Sequence, residues 1–217
     1  MRNSLRFPQL GPFSPRRTRS IRQARRQQRG IASIWTLLLV PVIAIGLVLV
    51  VEIANLWIAR AELENAMEAA ALAAVKEWGD NIGGSTATPR TVGKDYAALN
   101  TVRKVPVVIS DVRDDSNPVG NPNENVSYTE DLLFGAITST PVDAPNHVFN
   151  ASVAPNCGVG QPYAVRAKKR VKANSVCANL FGVNLNGFFV QAEAVAVYDC
   201  VSKRTQLIRI ATYAGIP

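Results

Sequence analysis

The sequence predicts an α+β protein: a long N-terminal transmembrane helix that continues into an extracytoplasmic amphipathic helix, packed on a small antiparallel β domain. Three observations predict it. Residues 31–51 carry no charge and are almost wholly apolar, with Arg29 before them and Glu52 after them. About 20 such residues are what a helix needs to cross roughly 30 Å of hydrocarbon. Residues 52–78 change to a striped pattern of helical period. Beyond them, short β-branched or alternating runs are separated by Gly, Pro, Asn and Asp clusters, the pattern of strands and turns.

Residues 1–29 are read as a disordered basic cytoplasmic tail. They hold nine arginines and no acid, and are punctuated by Pro8, Pro12 and Pro15. Such a segment buries too little apolar surface to fold alone. The formal charge of the chain is +8, and removing this tail leaves fifteen basic and sixteen acidic groups. The high pI therefore belongs to the tail, and no nucleic-acid partner is expected. Arginines kept on the cytoplasmic side give N-in, C-out topology, and the lipid bilayer is the first expected partner.

The transmembrane helix spans residues 30–51, with Ile31 and Val51 at its ends. Pro41 removes one backbone hydrogen bond within it, which membrane helices tolerate. Gly46 follows about one turn later. Trp35 and Trp57 fall near the two ends of the apolar region, where aromatic rings favour the interface. The apolar core and basic region are both longer than those of a secretory signal peptide. Ala59-Arg60-Ala61 offers a small-x-small cleavage site only well past the span. Arg16-Arg17 lies in a context unlike a twin-arginine signal.

In the amphipathic extension, residues 52–78, Leu56, Leu63, Met67, Ala70 and Ala74 recur at spacings that keep them on one helix face. They are the candidate helix-packing residues. Their partner is this protein's own domain, or else neighbouring copies or a partner helix, and one helix can serve both. Arg60 and Glu64 form an i,i+4 pair beside the stripe. Gly79, Gly83 and Gly84 end the helix.

Residues 79–217 are the extracytoplasmic β-rich domain. A short helix is expected at Lys94–Leu99. Strands are expected at 105–112, 125–137, 147–153, 162–173, 187–199 and 205–213, and a helical turn at Val176–Phe181. Residues 114–125 read as a loop. Cys157, Cys177 and Cys200 all fall on the side placed outside the cytoplasm, where a disulfide is permitted. Cys157–Cys177 is narrowly favoured over Cys177–Cys200. An odd thiol remains, free or paired between chains.

No catalytic constellation is found. His147 is the lone histidine and sits in a strand-like context. No nucleophile elbow, phosphate loop or dinucleotide fingerprint occurs, and no Cys/His spacing suits zinc. Asp115-Ser116-Asn117-Pro118-Val119-Gly120 approaches a calcium loop, but Val119 replaces a needed oxygen ligand. Asn125-Val126-Ser127 and Asn150-Ala151-Ser152 match the glycosylation triplet. The expectation is no enzyme, no cofactor and no metal.

Arg29-Gly30, the apolar span with Pro41, then Glu52, Leu56-Trp57, Arg60, Glu62-Leu63, Asn65-Ala66 and Glu68 through Ala74 together resemble the N-terminal segment of TadE/TadG-like pilus-assembly proteins. Ala164-Val165-Arg166, Arg170, Leu180-Phe181-Gly182 and Val190-x-Ala192-x-Ala194-x-Ala196 are similar to a second pattern of that group. Residues 85–160 match no pattern. The resemblance implies a bacterial single-pass inner-membrane protein with a periplasmic domain. It implies a pseudopilin-like or assembly component of a Flp (tight-adherence) pilus or related secretion system. Partners would be other pilus-assembly or pseudopilin subunits, or further copies of the chain. The sequence departs from processed pseudopilins at Trp35, where they carry Glu, and Glu68 stands in place of Asp. The metal motif D-x-S-x-S of the longer TadG proteins is absent. The alternative is an anchored binding or envelope protein unrelated to pili.

Overall fold

The computed structural model describes residues 18–81, 84–110, 122–123, 126–127, 129–138, 147–175, 188–208 and 210–214. The chain falls into two units, residues 1–50 and 51–217.

In residues 1–50 the described structure is the first part of helix α1, which runs from Thr18 to Asp80. The helix therefore begins within the segment expected to be disordered. Arg and Gln are good helix formers, and each residue added to an existing helix gains a backbone bond without a new nucleus. Pro41 lies inside α1. The residues from Ser33 onward include a stretch long and apolar enough to cross a membrane, with none of it buried inside the protein.

Residues 51–217 fold around the remainder of α1. Glu52, Asn55, Ala59, Leu63, Ala66, Met67, Ala70, Ala71, Ala74, Val75 and Trp78 are buried along it at intervals of one, three or four, which keeps them on one side of the helix. Helix α2, Ala87–Ala98, is longer than the Lys94–Leu99 helix expected. It approaches α1 at Gly93, where a Cβ would meet Ala74, the Ala70 carbonyl and Leu132 at 3.0–3.2 Å. Strands β1 (Thr101–Val102) and β2 (Val105–Pro106) form a hairpin through Arg103 and Lys104, both at positive φ. Only these two residues of the strand expected at 105–112 pair; residues 107–110 are irregular and 111–112 lie outside the described residues.

The main sheet contains β3 (Leu132–Ile137), β4 (His147–Asn150), β5 (Tyr163–Lys172), β6 (Phe189–Asp199), β7 (Arg204–Ile208) and β8 (Ile210–Ala214). Their spatial order is β7-β6-β5-β3-β4-β8. β5 and β6 pair antiparallel along their whole length, from Tyr163↔Tyr198 to Lys172↔Phe189. The strand expected at 205–213 is thus two strands, one at each edge of the sheet, with only Arg209 between them. So short a link brings the two edges together and closes the sheet on itself.

Closure also explains one departure from the antiparallel expectation. Counting β7 and β8 as one strand, the ring has five members, and an odd ring cannot alternate direction throughout. The parallel pair falls between β4 and β8; the other pairs are antiparallel.

Because the sheet curls, both of its faces are buried. One face presents Leu132, Phe134, Tyr163, Val165, Ala167, Ala194, Ala196 and Tyr198 to a core shared with α1. The other encloses Leu133, Ile137, Phe149, Ala151, Ala164, Val195 and Val197, with Ile208 and Ile210 packed on them.

Candidate interaction surface

The helical seam is built from small residues. Ala59, Ala66, Ala70, Ala71 and Ala74 of α1 share a core with Ala167, Ala192, Ala194 and Ala196 of the sheet. Short side chains on both surfaces let the helix axis approach the strands closely. Of the residues singled out for packing, Leu63, Met67, Ala70 and Ala74 are fully buried here and Leu56 is partly buried. The stripe is occupied by this chain's own domain.

Both ends of the seam carry polar fastenings. At the first turn Glu52 and Asn55 are only 5% and 4% exposed. The Ser175 hydroxyl donates to Glu52 Oε1 at 2.6 Å, and Asn55 Nδ2 donates to the Asn174 carbonyl at 3.0 Å. A buried carboxylate is costly without such bonds. At the far end, Trp78 meets Phe134 and Tyr163 edge to face. Gly79 lies directly over the Tyr198 ring, and the Tyr198 hydroxyl donates to Asp80 Oδ1 at 3.0 Å.

These bonds shift the titrating groups they join. Hydrogen bonds from Lys76 and Tyr198 hold the Asp80 carboxyl below its ordinary range. Burial, then the Asp80 contact, raises the Tyr198 phenol. The Asp199 carboxyl is lowered by the Ser202 hydroxyl and the Val201 amide.

A second buried polar group lies between α2 and β3. Asn123 bonds the backbone of Phe134 through both ends of its amide, at 2.6 and 2.8 Å, and also donates to the Ala151 carbonyl at 2.8 Å. Arg90 donates to the Leu132 carbonyl and stacks 4.7 Å from the Phe134 ring centroid. Sequence periodicity gave no signal for either residue, because Asn123 sits in a loop and Arg90 interrupts no apolar stripe. The aromatic cluster of Trp78, Tyr163 and Tyr198 left a weak signal in its positions at element ends.

The outward face of the helix differs. Ile53, Trp57 and Ile58 are exposed, Trp57 at 70%, just beyond the apolar run. In residues 1–50, Trp35 is also exposed, and a Cβ on Gly46 would meet nothing within 4 Å. Val51, the first residue of the second unit, is exposed. Ile31 lies in α1.

The disulfide joins Cys157 to Cys200, with Cα atoms 5.9 Å apart, not Cys157 to Cys177. Cys157 precedes β5 and Cys200 follows β6, so their antiparallel pairing brings the two cysteines to the same end. Cys177, the expected helical turn at 176–181 and the calcium-like loop at 115–120 lie outside the described residues. His147 is buried in β4 and its Nδ1 has no hydrogen-bond partner. Among the described residues no group of three or more His, Cys, Asp or Glu could hold a metal ion.

Residues 30–77 match the family described as Putative Flp pilus-assembly TadE/G-like. Over those residues the chain is similar to the TadE/G-like family. The match takes in the apolar run and the buried positions of α1 from Glu52 to Val75, leaving out Trp78 and Gly79, and it suggests involvement in Flp pilus assembly. Together with the long apolar helix, the match points to a membrane-anchored protein. No curated protein gives a significant match to the chain, and neither does any solved structure.

Proposed function

We propose that the chain is a non-enzymatic, single-pass component of a Flp pilus or related secretion assembly. Residues 30–51 cross the bacterial inner membrane, the arginine-rich N-terminus stays in the cytoplasm, and the β domain works outside it in a pseudopilin-like role. The observation that carries this reading is that one TadE/G-like segment contains both an exposed apolar run and the buried seam. The seam is filled by the protein's own sheet, so a neighbouring subunit would meet the opposite helix face, at Ile53, Trp57 and Ile58. An anchored envelope protein unrelated to pili is the second reading, since the TadE/G-like match covers residues 30–77 and leaves the sheet outside it.

Topology is tested by reporter fusions. A periplasmic reporter after Pro217 is active and one before Ile31 is inactive; the reverse result overturns the orientation. A photocrosslinker at Trp57 captures pilus-assembly subunits in cells that make the apparatus. Capture of none of them, with pilus formation intact in a deletion strain, favours the envelope reading.

A further inference from the structure

The closed part of the sheet does not include all of β5 and β6. β3 pairs with β5 only as far as Ala167, and β7 pairs with β6 only from Val195 to Asp199. Residues 168–172 and 189–194 therefore extend beyond the ring as a two-stranded arm. Two strands alone are marginally stable. This arm is held against α1 by Val171, Ala173, Val190 and Ala192, all part of the helix-facing core. It runs toward the start of the seam, where Asn174 and Ser175 bond Asn55 and Glu52.

The side chains of a strand alternate between faces, so the arm's other face carries Lys168, Arg170 and Lys172 from β5 and Phe189, Gln191 and Glu193 from β6. Lys168 is half-buried; Arg170, Lys172 and Phe189 are exposed. The Arg170 guanidinium stacks 4.4 Å from the Phe189 ring centroid. Glu193, the single acid on this face, is directed toward Arg166, 4.0 Å away, on the side of the closed ring. Phe188, exposed as well, precedes Phe189 at the arm's end.

We propose that this arm is a second membrane contact, docking Phe188 and Phe189 into the headgroup region while Lys168, Arg170 and Lys172 bind anionic lipid phosphates. The inference rests on the reading that residues 30–51 span the bilayer. Under that reading Glu52 is the first residue after the span, and Ser175, three residues past β5, bonds to it, so the described residues of the arm run toward the outer lipid surface. Basic side chains gain from an anionic surface only within about a Debye length of it, and exposed aromatic rings prefer the interface. A solvated arm has no use for two exposed phenylalanines; a lipid surface accepts both the rings and the cations.

The test uses the full chain with Cys177→Ser and a nitroxide label on Phe188→Cys. It is reconstituted in phosphatidylcholine bilayers with and without phosphatidylglycerol. The expected result is a label accessible to oxygen and shielded from a water-soluble nickel relaxant in the anionic bilayers. That shielding is lost in K168E/R170E/K172E and reduced without phosphatidylglycerol. A label fully open to the nickel reagent in both bilayers overturns the proposal. Shielding that survives charge reversal overturns the phosphate contact. Carbonate extraction of the same samples reports the span separately, so protein that stays in the membrane with a water-exposed label refutes the arm and spares the anchor.

Discussion

The Tyr198 hydroxyl donates a hydrogen bond to Asp80 across 118 positions of sequence. The contact fastens the last turn of α1 to β6 and leaves stability dependent on pH at both ends. Asp80 and Asp199 have folded pKa values below the ordinary carboxylate value. Their contribution is complete above that value and lost as pH falls through the folded ones. Tyr198 has a raised folded pKa, so its contribution is complete below the unfolded phenol value and lost as pH rises through the folded one. Thermal melts of the purified protein in detergent should lose stability on acidification below about pH 4. Asp80→Asn should flatten part of that acid limb, and Tyr198→Phe should remove part of the alkaline limb above about pH 10. An unchanged acid limb in Asp80→Asn would place the sensitivity elsewhere.

Two glycines are required by close approach. A Cβ at Gly79 would enter the Tyr198 ring, and one at Gly135 would strike the Asn150 carbonyl. Gly79→Ala should destabilise by about 1–2 kcal/mol, because overpacking exceeds the better helix propensity of alanine. Gly135→Ala should cost about 3 kcal/mol, since backbone must move rather than a ring. Gly46→Ala has no such neighbour and should leave the melting temperature within error. Denaturation of the three variants ranks them.

Along α1, burial separates two kinds of residue that hydrophobicity alone does not. Leu63→Ala should cost about 2–5 kcal/mol by cavity formation. Trp57→Ala should change stability by less than about 0.5 kcal/mol, while weakening subunit capture under the proposed function. Equal losses of stability would mean that Trp57 is not exposed in the folded protein.

The disulfide closes a loop of sequence separation 43. Cys200→Ser should cost about 2–4 kcal/mol. Denatured protein kept from reductant should show one alkylatable thiol, mapping to Cys177, and reduced protein three. Alkylation of Cys200 without reductant would contradict the Cys157–Cys200 pair.

Local periodicity carried the readable part of this fold. The spacing of Leu56, Leu63, Met67, Ala70 and Ala74 marks one helix face, and the alternation of Val190 through Ala196 marks one strand face. Residues whose roles depend on distant partners left no such trace. Glu52 reads as the charge that ends an apolar run, yet it is buried because Ser175 reaches it from more than a hundred residues away. Asn123 reads as loop and serves as a backbone partner for Phe134. Cys157 and Cys200 meet only because β5 and β6 align their ends. Residues 204–214 read as one strand, since nothing local to Ile208 and Ile210 says that they pair with different neighbours.

The closing segment also governs when the domain can mature. Until residues 204–214 have emerged, β4 and the last half of β6 each lack one neighbour, and Ile137, Phe149 and Val195 lack the cover of Ile208 and Ile210. A nascent chain stalled before Arg204 would present two sticky margins to chaperones and proteases. Truncation before Arg204 should therefore prevent folding of the sheet as thoroughly as a truncation far upstream.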